Sequence, residues 1–160
     1  LGSVAVNTAV RNILSDLLKD FQVIHLCGKG KLDTSLTDTE GYVQYEYIKD
    51  ELSDLFALSD LVISRAGANA ICEISALKKP NLLIPLSANA SRGDQILNAR
   101  SFEKLGYSKV LEEEEITNEK LLQTIRDLYA NREQYIEAMS KSSQMDSIGK
   151  IVGMLWDCAK

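Results

Sequence analysis

The sequence predicts an α/β fold in which a mostly parallel sheet is flanked by helices. The first observation is the stretch from Asp60 to Leu86, where two short apolar runs, Leu61–Ser64 and Asn81–Leu86, are joined by a helix-compatible segment at Asn69–Leu77. Parallel strands need such a crossover, and a helix usually provides it. The second observation is that short apolar runs also alternate with amphipathic segments elsewhere in the chain. The strand residues predicted to lie in the core are Val23, Ile24, Ile63, Leu83 and Ile84.

The residues before Asp60 supply a helix, two strands and a second helix. Apolar residues recur on one face of Leu1–Asp20 at helical spacing, which predicts an amphipathic helix. Phe21–Cys27 is a short apolar run and Tyr42–Ile48 alternates, so both are predicted to be strands. Asp50–Leu58 is predicted to be a short helix that leads into the central stretch.

The residues after Leu86 are mostly helical. A helix is predicted at Gly93–Leu105 and a last short strand at Tyr107–Leu111. The acidic run Glu112–Glu115 is predicted to be a solvated edge of the domain. The remaining helices are predicted at Glu119–Ala130, Glu133–Ser140 and Ser147–Ala159.

Composition limits the class of protein. A chain of 160 residues, of which 45% are hydrophobic, is long enough for one domain with a real core. A net charge of −5 without a Lys/Arg cluster argues against nucleic acid, or an anionic membrane bound by charge alone, as a partner. Three widely spaced cysteines and one histidine indicate neither a disulfide framework nor a zinc site, so we expect a cytoplasmic, reducing compartment.

Small residues mark the turn between the first strand of the central stretch and its helix. Ala66, Gly67, Ala68 and Ala70 leave little side-chain bulk there, so a phosphate could approach the backbone N–H groups and the positive end of the helix dipole. Close packing of strand against helix would select the same residues. The sequence leaves both explanations open.

Glu73 lies on this helix, outside the predicted core stripe that contains Ile71, Ile74 and Leu77. A carboxylate in this place could accept hydrogen bonds from the two hydroxyls of a ribose, as the acidic residue of dinucleotide-binding folds does. An ordinary solvated glutamate is the alternative.

Other polar residues have the same two explanations. Asp94 and Gln95, in the first turn of the next helix, suit sugar hydroxyls but are equally explained by capping and solvation. Lys29, in the loop after a strand, is a candidate anion contact or a solvated lysine. His25 has neither metal partners nor a nucleophile nearby in the sequence, and we expect it to be packed.

Gly2 and Ser3 stand just ahead of the first predicted helix, where a second phosphate-binding turn could lie. A doubly wound domain would place a strand immediately before such a turn. We therefore expect that Leu1 is not the natural start, and that the missing strand leaves an exposed gap or is replaced by a neighbouring chain.

The order of motifs resembles the MurG family. SRAGANAICEISALKKPNLLIPL is followed by DQILNAR, so that RAGA with a later glutamate, KP before a buried strand, and DQ before NA all occur in the family's order. The similarity extends from Leu1 to about Leu128. Members of this family are cytoplasmic enzymes that transfer N-acetylglucosamine from UDP-GlcNAc to lipid I in peptidoglycan synthesis.

The resemblance implies a GT-B architecture with two Rossmann-like, three-layer α/β/α domains, of which the second binds most of the donor. Residues 1–160 would form the single carboxyl-terminal UDP-sugar-binding domain, with the acceptor domain and first strand absent. The opening LGS resembles only the end of the family's GGSxGA loop, whose phosphate-contacting serine is missing.

The resemblance also implies roles for single residues. The turn after Arg65 would meet the diphosphate, Glu73 the ribose, and the backbone of Ile48 the uracil. Asp94 and Gln95 would contact the sugar, although the family has two glutamines there and Asp94 is a departure. The implied donor-binding residues are Gly2, Ser3, Ile48, Arg65, Gly67, Ala68, Asn69, Ala70, Glu73, Asp94 and Gln95.

The implied chemistry is inverting transfer, in which a general base activates an acceptor hydroxyl. The resemblance places that base, the lipid-linked acceptor and peripheral contact with the plasma membrane in the missing domain. No residue of this chain is therefore predicted to be catalytic, and the chain alone is expected to bind UDP or UDP-GlcNAc weakly and without turnover. No acidic DxD-type pair stands beside the turn, so neither a metal nor a cofactor is expected.

Two alternatives remain open, and a third is not supported by the residues present. The chain could be a sugar-nucleotide-binding subunit that needs a separate membrane partner. It could also belong to a GT-B glycolipid synthase with another acceptor, since the acceptor rests on the resemblance alone. An epimerase would need acid and base residues in this half of the protein, and the sequence shows no such pair.

Overall fold

The structure is a computed structural model that describes residues 2–88 and 93–142. From the third helix to the fifth strand, helices and strands alternate along the chain. The helices are α1 (Val4–Asn12), α2 (Leu14–Leu17), α3 (Leu52–Leu58), α4 (Ala68–Ala76), α5 (Asp94–Lys104), α6 (Asn118–Ala130) and α7 (Arg132–Ser140). The strands are β1 (Val23–Leu26), β2 (Tyr42–Tyr45), β3 (Val62–Ser64), β4 (Asn81–Leu83) and β5 (Lys109–Val110). Within this part of the chain, no helix has the length and apolar character that a membrane crossing requires.

Every described strand pair is parallel. β1 pairs with β2, so that Val23 lies opposite Tyr42. A second sheet places β4 between β3 and β5, with Ile63 opposite Leu82. No backbone pairing between described residues joins the two sheets. The predicted parallel arrangement is confirmed, but the strands are divided between two sheets.

The side chains of β4 and the residue after it alternate between two packed layers. Leu82 and Ile84 lie in a cluster with α1, α2 and α6, whereas Leu83 lies in a second cluster with α4 and α5. All three are fully buried, while the predicted core residues Val23 and Ile63 are half-buried. Because successive strand residues point to opposite faces, helices cover both faces of this sheet. The predicted three-layer α/β/α arrangement is confirmed.

Among the described residues, the sheet formed by β1 and β2 is packed mainly on one face. His25 and Tyr42 are buried on the face that lies under α1. Ile24 and Leu26 point the other way and are 37% and 41% exposed. The prediction that Ile24 lies in the core is therefore wrong. A continuous apolar run does not reveal whether both faces of a strand have packing partners.

The described strands are shorter than predicted, and some helices end or break earlier. β4 ends before Pro85, which has no N–H group to continue the strand ladder. The predicted first helix is interrupted at Ile13, whose φ of −107° and ψ of 7° are not helical. On α4, Leu77 is 47% exposed because the helix ends at Ala76, so its predicted place in the core stripe is wrong. The helix predicted at Ser147–Ala159 lies outside the described residues.

Candidate functional site

The carboxyl ends of three strands and the amino end of α1 meet at one edge of the domain. Gly2 lies against the carbonyl group of Cys27, which follows β1. Ser3 accepts hydrogen bonds from Arg65, which follows β3 and also donates to the carbonyl of Ile84, which follows β4. Open α/β sheets bind ligands at this edge. Most of the predicted donor-binding residues therefore belong to one region of the fold.

At the turn between β3 and α4, the structure distinguishes the two explanations for the small residues, which are close packing and access for a phosphate. Ala66 is fully buried in the cluster with Ile71, so close packing explains its size. Gly67 is the N-cap, and a Cβ atom added to it would meet no atom within 4 Å. Ala68 and Asn69 are exposed. The side chains at the amino end of α4 thus leave room for an anion to approach the first backbone N–H groups of this helix.

Glu73 is exposed in the second turn of α4. It follows Asn69 by one helical turn, and residues at this spacing lie on the same helix face. Ala70, which is half-buried, lies between them in sequence. The predicted place of Glu73 outside the core stripe is confirmed, while its contact with a ribose stays a prediction.

The amino end of α1 is tightly held. Ser3 is its N-cap, and its Oγ accepts a hydrogen bond from the backbone N–H of Val6 at 3.3 Å. A Cβ atom on Gly2 would lie 1.6 Å from the carbonyl oxygen of Cys27, so only glycine fits in this place. Lys31 donates from Nζ to the carbonyl oxygen of Gly2. The structure thus places Gly2 and Ser3 at the start of a helix, as predicted.

Arg65 does not present a free guanidinium group. Its Nε and Nη2 donate to Ser3 Oγ at 3.1 and 2.7 Å, and its Nη1 donates to the carbonyl oxygens of Ile84 and Pro85. Nη1 also lies 2.5 Å from a carboxylate oxygen of Glu113. The guanidinium group of Arg65 is hydrogen-bonded to protein acceptors. If Arg65 belongs to the donor site, its role is therefore to position other groups rather than to offer its charge to the ligand.

The acidic run after β5 is not simply a solvated edge, so that prediction is wrong in part. Glu113 pairs with Arg65, and Glu112 pairs with Arg100 at 2.5 Å. Sequence reasoning missed Glu113 because its partner lies in another element of the fold. An acidic residue following a strand at the ligand-binding edge is the signal that could have pointed to it.

Gln95 and Asp94 begin α5, with Gly93 as N-cap in the left-handed region at φ 82°. Gln95 Oε1 accepts a hydrogen bond from the backbone N–H of Leu86 at 3.0 Å. This bond fixes the amide so that its NH₂ group is left as a donor. Asp94 is exposed and can only accept when ionised. Contact of either residue with a sugar stays a prediction.

Two further predicted contacts lie in loops. Ile48 is half-buried and follows the last residue of β2, Tyr45, at the carboxyl edge of that strand. Lys29 is exposed in the loop that follows β1. The structure places both near the ends of strands, but it does not test whether either binds a nucleotide.

His25 belongs to a buried polar network under α1. Its Nδ1 lies 2.8 Å from the hydroxyl of Tyr42 and its Nε2 lies 3.0 Å from Oδ1 of Asn7. Burial, and to a smaller extent the charge of Arg11, lowers the pKa of His25 from 6.5 to about 4. The predicted packed role is confirmed. Within the described residues, no group of His, Cys, Asp and Glu is arranged to hold a metal ion.

Residues 1–151 match the family model described as the glycosyltransferase family 28 C-terminal domain. The chain belongs to this family. Curated relatives of this family 28 domain are named "UDP-N-acetylglucosamine--N-acetylmuramyl-(pentapeptide) pyrophosphoryl-undecaprenol N-acetylglucosamine transferase". The relative from Lachnospira eligens is 66% identical over 99% of this chain and 45% of its own length. The relative from Geobacillus thermodenitrificans is 55% identical over 100% of this chain and 45% of its own.

Solved structures confirm the fold of the family 28 domain. The crystal structure of Acinetobacter baumannii MurG matches with a TM-score of 0.78 and 23% identity, covering 98% of this chain and 47% of that one. The glycosyltransferase of kitacinnamycin matches with a TM-score of 0.71 and 16% identity, covering 88% and 34%. The predicted Rossmann-like domain of a GT-B glycosyltransferase is confirmed, as is the resemblance to the MurG family. The chain spans less than half the length of the curated relatives named above.

Proposed function

We propose that this family 28 domain binds UDP-N-acetylglucosamine for an inverting glycosyltransferase that transfers N-acetylglucosamine to undecaprenyl-diphospho-muramoylpentapeptide in peptidoglycan synthesis. The observation that carries the proposal is 66% identity, over 99% of the chain, to a relative named as that transferase. The open amino end of α4 at Gly67 and the exposed carboxylate of Glu73 support it, because both suit a ribose diphosphate.

In the proposed complex, the diphosphate meets the backbone of Gly67, Ala68, Asn69 and Ala70. Glu73 accepts hydrogen bonds from the ribose, and the backbone of Ile48 meets the uracil. The Gln95 NH₂ group, oriented by the bond from Leu86 to Oε1, donates to a sugar hydroxyl, while the Asp94 carboxylate accepts from one. The donor is held by groups at the carboxyl edge of the sheets.

The contribution of this domain to the reaction is stabilisation of the leaving group. Negative charge develops on the β-phosphate as UDP leaves, and a helix amino end stabilises such a charge by about 0.3–1 kcal/mol. The proposal requires no metal. It places the general base, the lipid-linked acceptor and contact with the cytoplasmic face of the membrane outside the part of the relatives that this chain matches.

Glu73→Ala tests the proposal. We expect UDP binding to weaken by about 1.5–3 kcal/mol, the usual scale for hydrogen bonds to a charged group. Folding should change little, because Glu73 is exposed on a helix and alanine is a good helix former. Glu133→Ala is the matched control, because Glu133 is an exposed glutamate of α7 with 78% side-chain exposure. Titration calorimetry with UDP measures both variants.

Titration with 2′-deoxy-UDP closes a thermodynamic cycle. The deoxy ligand should lose much of the same free energy against the parent chain and little more against Glu73→Ala, since both changes remove one interaction. Additive losses would show that Glu73 does not contact the ribose. A Glu73→Ala variant that binds UDP as the parent does would remove the side-chain support for the donor site.

A further inference from the structure

Arg65 connects the start of α1 to the segments that follow β4 and β5. Nε and Nη2 donate to Ser3 Oγ at 3.1 and 2.7 Å, while Nη1 donates to the carbonyl oxygens of Ile84 and Pro85 at 3.2 and 3.0 Å. The Glu113 carboxylate pairs with the same Nη1, and the Arg65 side chain is only 20% exposed. A guanidinium group offers five donors in a fixed planar arrangement, which allows one side chain to hold several acceptors in register.

Ser3 is the point at which this network reaches α1. Its Oγ also accepts the hydrogen bond from Val6 that caps the helix. On the other side, Gly2 is packed against the carbonyl group of Cys27. The amino end of α1 is thus held between the residue after β1 and Arg65, the residue after β3. These strands belong to sheets that share no backbone pairing in the described part of the chain.

Arg65 also stands next to the amino end of α4. Only the fully buried Ala66 separates it from Gly67, the N-cap of that helix. Arg65 therefore contacts the amino end of α1 and lies two residues before the N-cap of α4. The electrostatic effect of a helix amino end falls off within its first turn, so a small displacement of either helix changes the field that an anion experiences between them.

We propose that Arg65 is a positioning residue for the phosphate-binding part of the site. It acts through Ser3, and it aligns the amino ends of α1 and α4 around the diphosphate of a nucleoside diphosphate sugar. The Glu113 carboxylate, with the two carbonyl groups, fixes the guanidinium group in the required orientation. The proposal rests on the proposed function, because it needs a diphosphate ligand at this edge.

The test compares binding of UDP with binding of uridine, which lacks the diphosphate, by NMR titration of this chain. Arg65→Lys keeps the charge but not the planar set of donors. We expect it to weaken UDP binding about tenfold, the loss equivalent to one hydrogen bond to a charged group, and to change uridine binding by less than about twofold. Arg100→Lys is the matched control, since Arg100 pairs with Glu103 and with Glu112, the neighbour of Glu113.

Ser3→Ala and the double variant show whether Arg65 acts through Ser3. Both changes break the contact between Arg65 and Ser3, so the double variant should bind UDP within about twofold of the weaker single variant. Additive losses overturn the proposal, as do unchanged UDP binding by Arg65→Lys or equal losses for UDP and uridine.

A second pair of variants decides the outcome if thermal melting shows that Arg65→Lys does not fold. Ser3→Thr keeps a hydroxyl group that can accept from Arg65, so we expect it to bind UDP more tightly than Ser3→Ala, which has none. Unchanged UDP binding by Ser3→Ala overturns the proposal. A parent chain that binds neither UDP nor uridine overturns the proposed function and this inference together, whereas failure of the variants alone to respond overturns only the inference.

Discussion

Burial sets the protonation state of His25. The imidazole ring lies under α1, between the hydroxyl of Tyr42 and the side chain of Asn7, and its pKa is lowered to about 4 by burial and by the charge of Arg11. The unfolded chain has the ordinary value of about 6.5 and therefore binds the proton more readily between these two pH values. The contribution of neutral His25 to stability is complete above pH 6.5 and is lost as the pH falls towards 4.

We expect the free energy of unfolding to fall by about 2 kcal/mol between pH 7 and pH 4.5, as the lowered pKa of His25 requires. Urea unfolding at several pH values measures it. In His25→Gln this dependence should largely disappear, because the chain has one histidine. A variant that keeps the full dependence would assign it to other groups, such as the carboxylates.

The packed role of His25 could be predicted because the sequence offers it no metal partner or nucleophile. The role of Arg65 could not be predicted from the sequence. Its hydrogen-bond partner Ser3 lies 62 residues away in the sequence, and Glu113 follows a different strand. Contacts of this kind depend on how the strands are ordered in space, which spacing along the chain does not determine.

At the scale of elements, α4 shows how helical periodicity relates to packing. Ile71 and Ile74 are 1% and 2% exposed, as the apolar spacing predicts. The same spacing also predicted burial of Leu77, which is exposed because it follows the last helical residue. Positions of helices were therefore predictable from the sequence. Their ends depended on local backbone geometry at residues such as Ile13.

Ile71→Ala tests the packing of α4. Ile71 lies in the cluster with Leu83 and Val110, and its truncation should lower the free energy of unfolding by about 2–4 kcal/mol. Leu77→Ala, at the C-cap of the same helix, is the control and should cost less than about 1 kcal/mol, because Leu77 is exposed. Denaturant unfolding measures both variants. Equal losses would mean that the two side chains are equally packed.

At the scale of the whole molecule, α1 is the element shared by both sheets. Val10 packs in the core cluster with Ile84, which follows β4. Asn7 donates to the carbonyl oxygen of Cys27 at 2.9 Å and lies 3.0 Å from Nε2 of His25. The sequence predicted parallel strands from the helical crossover between Leu61–Ser64 and Asn81–Leu86. It could not show that the described strands form two separate sheets, since strand partners are chosen by packing of residues far apart in the chain.

Because the strands are divided between two sheets, we expect these two sheets to differ in local stability. The sheet of β1 and β2 has two strands and exposes Ile24 and Leu26, whereas the sheet around β4 is covered on both faces. A two-stranded sheet is marginally stable without packing, and segments with few buried apolar contacts open locally.

Hydrogen exchange of two matched backbone amides measures the difference. The Cys27 amide donates to Tyr45 at 2.8 Å in the first sheet, and the Ile84 amide donates to Ser64 at 2.9 Å in the second, so their hydrogen bonds are of similar length. We expect the Cys27 amide to exchange through an opening at least about 1 kcal/mol less costly than that of Ile84. The Ile84 amide should exchange only with global unfolding, which low concentrations of denaturant identify by their steep effect on its rate. Equal protection of both amides, with the same denaturant dependence, would show that α1 binds the two sheets into one cooperative unit.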